Sequence, residues 1–187
     1  MSGLTPRGDM LREAMHERLR SFTAVHRELL MHAAALGRDF DLGVLASVLG
    51  RPTPLLRHAI RLACAHQLLE PIEGTPDAFQ FRHALTRDAL YQELVSTQLR
   101  PLHRRIGIAL EQRSGKRPPT IEELAFHWWA AGDRARGSRY NEAAGDRARA
   151  IHAGVEARAY YHRALDLLGK RSAVRMRIEQ KIGAIET

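Results

Sequence analysis

Residues 53–82, TPLLRHAIRLACAHQLLEPIEGTPDAFQFR, hold the change of rhythm that decides the fold. Thr53 followed by Pro54 reads as a helix N-cap with proline at N1, where the missing N–H has no intrahelical partner to lose. Apolar residues then recur at helical spacing to about Gln67. The period changes at Leu68 to Ile72, which is short and apolar. Glu73, Gly74, Thr75, Pro76 and Asp77 are turn chemistry. Phe79 and Phe81 then alternate with Gln80 and Arg82, as one face of a strand does. The spacing predicts a β-hairpin, the only β structure that the sequence announces.

Upstream, the period is helical. Met10, Leu11, Ala14, Met15, Leu19 and Phe22 form one apolar stripe, and Val25 to Leu36 a second helix stopped by Gly37. Asp41 is a good N-cap for a short helix, Leu42 to Leu49, ended by Gly50. Helix, helix, short helix, helix, hairpin is the order of a winged helix-turn-helix domain. Downstream, helices are expected over Ala84 to Leu94 and Leu102 to Arg113, then a linker at Ser114 to Pro119. Thr120 and Glu123 form a capping box that opens the next helix. That helix carries Leu124, His127, Trp128 and Ala131 on one side and ends near Gly132. Residues 134–149 and 154–168 read as two antiparallel helices. Ala143, Ala144, Ala148, Ala157 and Ala164 permit close approach, and Tyr140, Tyr160, Tyr161 and Leu165 fill between them. This is the texture of a tetratricopeptide-type hairpin, of which about one repeat is present where about three make a solenoid. A last helix, Ala173 to Glu186, begins the next repeat. The expected fold is therefore mainly α: a linker over 1–9, a winged helix over 10–95, a connecting helix and loop over 96–119, and helical hairpins over 120–187.

A chain of 187 residues that is 44% hydrophobic can bury a real core. Mean hydropathy is −0.34, and no apolar run approaches the roughly 18 residues of a membrane span. Met1 to Met10 holds no signal-peptide core. A lone cysteine, Cys64, excludes an internal disulfide framework and makes the cytoplasm the expected compartment. Mid-helix, it reads as a small buried hydrophobe. The net charge is +8. Only Lys116, Lys170 and Lys181 are lysines, so the other 26 cations are arginines. Arginine spread along the whole chain fits a GC-rich genome and solvated surfaces better than one binding patch.

Catalytic patterns are missing. There is no phosphate loop; Ser114-Gly115-Lys116 has no strand before it and two prolines soon after. No nucleophile elbow or zinc-protease helix occurs either, so the expectation is a non-enzyme without metal or cofactor of its own. His58 and His66 could share a helix face but have no carboxylate or cysteine partners. His162 is explained by packing. Trp128 and Trp129 read as core or interface, because no lysines or arginines interleave them in sequence. The helix after Pro54 stands where a winged helix reads DNA. Arg57 and Arg61 are its candidate DNA contacts. Its first turn is apolar, however, and the turn Glu73 to Asp77 is acidic, which is wrong for a wing that meets phosphates.

Arg27-Glu28-Leu29-Leu30, then Ala33 to Leu42, then Phe81-Arg82-His83-Ala84-Leu85-Thr86-Arg87-Asp88-Ala89-Leu90-Tyr91 follow one another in a familiar order. Leu102-His103-Arg104-Arg105-Ile106, Leu124-Ala125-Phe126-His127 and Ala131-Gly132-Asp133 continue it. From about residue 10 to 170 the chain resembles the winged-helix and first tetratricopeptide region of STAND-class signalling ATPases, whose members include large LuxR-type transcriptional regulators. The resemblance implies a nucleotide-binding domain before Met1, further repeats after Thr187, and ATP or ADP bound by the parent protein. It implies a protein or small-molecule inducer on the repeats, and a cytoplasmic regulatory role. In related ATPases a Met-His-Asp motif opens the helix after the wing, and its histidine contacts the β-phosphate of ADP. His83 stands at that place, with Arg82 for Met and Ala84 for Asp. Arg82 and Arg87 are then candidates to assist with phosphate charge. The plainer expectation is that His83 caps its helix or packs under the wing. The rival functions are a stand-alone DNA-binding regulator with a helical dimerisation tail, and a helical protein-interaction adaptor.

Overall fold

The computed structural model describes residues 19–20, 22–113, 118–170 and 172–185. The chain divides after Val95 into two compact units. Most of the stripe that begins at Met10, and the centre of the Ser114–Pro119 linker, lie outside the described residues. No helix among the described residues is long and apolar enough to cross a membrane.

Unit 1 is built from α1 (Ala24–Leu36), β1 (Asp39–Asp41), α2 (Leu42–Leu49), α3 (Thr53–Ala65), β2 (Leu69–Pro71), β3 (Ala78–Phe81) and α4 (Ala84–Gln92). The ends of α2 follow from local chemistry. The Asp41 carboxylate accepts the Gly43 and Val44 N–H groups, and Gly50 closes the helix in the left-handed region at φ 63. At α3 the expectation shifts by one residue. Pro52 holds the cap position without a side-chain bond, and Thr53 is already helical. The β structure exceeds the expected hairpin. Asp39–Asp41 adds a third strand, giving an antiparallel sheet of order β1-β3-β2 in which Phe40 faces Phe79 and Leu69 faces Phe81. Phe79 and Phe81 each bring their ring to about 6 Å from that of Phe40. They meet Leu30, Leu45, Leu56, Ile60 and Leu90 in one core. Each such side chain contributes roughly 1.5–3 kcal/mol by leaving water.

The regular elements among the described residues of unit 2 are helices: α5 (Ser96–Glu111), α6 (Ile121–Ala130), α7 (Arg134–Ala150), α8 (Gly154–Leu167) and α9 (Ala173–Gly183). α5 starts six residues before the expected Leu102 and runs through Pro101. A proline this near the N-terminus removes a single backbone bond. The capping box of α6 is complete: Thr120 Oγ1 accepts Glu123 N–H, and Glu123 accepts Thr120 N–H at 2.7 Å.

The unit repeats itself. His103, Ile106, Gly107 and Leu110 are buried on α5, and Asn141, Ala144, Gly145 and Ala148 are buried thirty-eight positions on, on α7. Each glycine meets an aromatic ring of the following helix. A Cβ on Gly107 would lie 2.7 Å from the Trp128 ring, and one on Gly145 2.5 Å from the Tyr161 ring. Helix axes approach that closely only where no side chain intervenes. Asn141 ties α7 to its neighbour by donating to Ala125 O at 2.8 Å, while also donating to Gly137 O. α9 then lies antiparallel to α8, with Arg175 donating to the carbonyls of Leu165 and Leu168.

Candidate functional site

β3 ends at Phe81 and α4 begins at Ala84, so Arg82 and His83 bridge a strand and a helix. His83 stands at the cap position with extended backbone, but its imidazole makes no cap bond. The side chain is exposed and has no hydrogen-bond or ion-pair partner among the described residues. His83 is the N-cap residue, as the plainer expectation has it, and its carbonyl accepts the Thr86 N–H at 3.1 Å, but its imidazole neither caps the helix nor packs under the sheet. Arg82, also exposed, faces Glu70 at 3.6 Å. Arg87 points elsewhere. Its Nε donates to Ala34 O at 2.9 Å, its Nη1 pairs with Asp88 at 3.0 Å, and its guanidinium lies 5.1 Å from the Tyr91 ring. It ties α4 to α1, so the three residues do not converge on one point. Arg87→Ala should cost about 1.5 kcal/mol of unit 1 stability, read as a lower urea midpoint, by removing a charged donor from a carbonyl.

The two α3 arginines separate as well. Arg57 holds both oxygens of Asp77 at 2.8 and 3.0 Å, so the acidic turn neutralises it. Arg61 is exposed and has no partner among the described residues. Arg51, Arg27 and Arg82 each face a glutamate. Residues 1–95 carry eleven Lys and Arg against eleven Asp and Glu, whereas residues 96–187 carry eighteen against ten. The whole positive excess therefore belongs to unit 2. Unit 1 is thus neutral overall, and of the two candidate DNA contacts only Arg61 is left without a partner among the described residues.

His58 and His66 do not act together: His58 lies against His26 at 5.9 Å, and His66 against Phe22 at 5.2 Å. Cys64 is half-buried, and burial pushes its thiol up from the ordinary value. No cluster of three metal-ligating side chains occurs among the described residues.

Unit 2 holds one buried and one part-buried polar assembly that its sequence does not announce. His103 of α5 and His127 of α6, both 1% exposed, bring Nδ1 to Nδ1 at 2.9 Å, with Phe126 edge-on to each ring. One ring donates and the other accepts. The second assembly joins α7 to α9. Glu142 accepts from Arg177 Nε and Nη2 at 2.9 and 2.6 Å, and from Lys181 Nζ at 2.8 Å. Lys181 also holds both oxygens of Asp146, which accepts the Tyr161 hydroxyl at 2.7 Å. Burial alone would raise the Glu142 and Asp146 carboxyls; hydrogen bonds from Arg177, Lys181 and Tyr161 outweigh it and hold both low. Burial and the bond to Asp146 push Tyr161 up to about 12.

The tryptophans depart from the expectation of no interleaved cations. Arg136 lies 4.6 Å from the Trp128 ring, and Arg163 sits 5.3 Å from Trp129 and 5.6 Å from Tyr160. Trp128 is nonetheless fully buried, so that ring is core and offers no stacking platform. Comparisons with protein families, with curated proteins and with solved structures find no match.

Proposed function

We propose that the chain is a non-catalytic coupling region of a signal-transducing ATPase, with the regulatory, transcription-linked role that its resemblance implies. In this reading unit 1 is a winged helix that docks on a nucleotide-binding domain. Unit 2 is a tetratricopeptide-type array segment that receives a protein or small-molecule inducer. The observation that carries the reading is the His83 imidazole, exposed between β3 and α4 with no partner of its own. A free imidazole can donate to a phosphate oxygen of ADP held by the docked domain. The contact is local, so nucleotide release can break it and change how the domain is held.

Two further features support the parts. The order α1-β1-α2-α3-β2-β3, with β1 on the free edge of β3, suits a winged helix. Gly145, Ala157 and Tyr161 fall at the glycine, alanine and aromatic places of the tetratricopeptide pattern, and Gly145 packs on Tyr161.

ADP retention tests the reading. In the ATPase that carries this chain, His83→Ala should speed ADP release and raise basal output several-fold. Arg87→Ala, which touches only unit 1 itself, should leave the release rate alone once folding is verified. An ADP release rate and a basal output that His83→Ala leaves unchanged would sink the reading.

A further inference from the structure

We propose that the face formed by α5 and α7 binds an acidic peptide segment of a protein partner. The proposal rests on the coupling reading above and names the class of partner that unit 2 receives.

Charge comes first. All of the net +8 lies in residues 96–187, and part of it gathers on this face. Arg100 and Arg104 stand one helical turn apart on α5. The Arg100 guanidinium lies within 4 Å of where a Cβ on Gly132 would be, at the turn between α6 and α7. Arg104 reaches Asp133 at 4.0 Å, and Arg136 reaches the same carboxylate at 3.6 Å. Asp133 also caps α7 by accepting Arg136 N–H at 2.9 Å. Asp133, already engaged as a cap, and Glu111, which faces Arg136 at 3.5 Å, are two carboxylates against Arg100, Arg104, Arg136 and Arg139, so the face keeps a positive excess. Arg139 lies 4.7 Å from the Tyr140 ring, exposed, and has no carboxylate partner among the described residues.

Shape comes second. Arg136 also borders an open cavity of about 580 Å³ lined by Glu111, Leu124, Ala135, Arg139 and Tyr140. Exposed Ile108 stands one turn beyond Arg104 on α5. Guanidinium forks take carboxylates in two-point fashion, and Leu124 and Ala135 offer an apolar place for a side chain between them.

The cavity also selects between polyanions. Glu111 accepts the Tyr140 hydroxyl at 2.9 Å and faces Arg136 at 3.5 Å. A peptide can offer Glu111 a backbone N–H while its own carboxylates meet Arg100, Arg104 and Arg139. A nucleic acid brings a phosphate at every nucleotide and sets one against Glu111.

The experiment is fluorescence anisotropy with the full chain and a fluorescein-labelled peptide, Glu-Asp-Leu-Glu-Asp, with a twenty-residue oligo-dT strand as competitor. The peptide should bind, and binding should weaken as salt rises. Arg104→Glu and Arg139→Glu should each raise Kd tenfold or more. Arg38→Glu, the same charge change in unit 1, should leave Kd as it is. Circular dichroism checks that the variants fold, and both substituted side chains on this face are exposed. Three results would overturn the proposal: no peptide binding, equal affinity in Arg104→Glu and Arg139→Glu, or oligo-dT binding more tightly than the peptide. Peptide binding that survives alongside unchanged ADP release in His83→Ala would sink the coupling reading alone. The reverse pair of results would sink the peptide site alone.

Discussion

Gly145→Ala should lower the stability of unit 2 by about 2 kcal/mol, although alanine is the better helix former. An added Cβ stands 2.5 and 2.6 Å from two carbons of the Tyr161 ring, a distance that real contacts do not reach. The ring cannot swing aside: Tyr161 is fully buried and its hydroxyl is held by Asp146 at 2.7 Å. Overpacking of this kind costs typically 1–3 kcal/mol, against a helix-propensity gain of up to about 1 kcal/mol. Gly107→Ala should behave alike, since its Cβ would meet Trp128 at 2.7 Å. Gly183 is the control. Nothing lies within 4 Å of its Cβ position, so Gly183→Ala should stabilise by about 0.5 kcal/mol. Urea unfolding of the three variants ranks them. If Gly145→Ala matches or exceeds the parent, the close approach of α7 and α8 is wrong.

Glu142→Ala should cost about 2 kcal/mol and loosen α9. The carboxylate takes three charged hydrogen bonds from α9, and bonds of this kind contribute about 1.5–3 kcal/mol each when made, fewer in sum because they share an acceptor. The sign of the pH dependence follows from the shifts. Glu142 and Asp146 are held below the ordinary carboxylate range. Their contribution is present above the unfolded value near pH 4 and is lost as pH falls through the folded values. Tyr161 runs the other way. Its value is raised to about 12, so its contribution is complete below about pH 10 and is lost as pH rises from there through about 12. Lys181, also raised by its carboxylate partners against the pull of burial, adds to the alkaline loss. Melting temperature against pH should fall at both ends, and Glu142→Gln should flatten the acid side. A variant that melts like the parent at pH 7 and at pH 3 would contradict this account of α9.

Features that depend on neighbours in the sequence were legible in it. Asp41 and Gly50 bracket α2, and Thr120 with Glu123 opens α6, because a cap is a bond across two or three residues. Phe79 and Phe81 announced a strand by alternation alone. β1 was not legible. Its three residues, Asp39-Phe40-Asp41, are too few for a period, and their partners Ala78–Gln80 lie far along the chain, brought to them by the shared core. The expected helix start at Leu102 falls just after Pro101, but α5 runs through that proline, where one lost bond near a helix end is offset by the packing of α5.

The candidate site divides in the same way. His83 was singled out through the resemblance, from its place after a strand, whereas the lack of a side-chain cap bond was not legible. Arg87 and Arg57 look like phosphate ligands in a one-dimensional reading, and only the fold brings them to Ala34 O and Asp77. The placing of all excess charge in unit 2 sits in the composition, but it cannot be counted without the boundary at Val95. His103 and His127, on different helices, carry no shared signal at all.

That histidine pair has a direction. While both rings are neutral, a single hydrogen lies between the two Nδ1 atoms. The donor ring must then be the Nδ1–H tautomer and the acceptor the Nε2–H tautomer. Reversing the bond requires a hydrogen to leave one Nε2 and another to arrive at its counterpart, with both rings 1% exposed. The two directions of the bond are therefore two tautomeric states of one buried pair that spans α5 and α6.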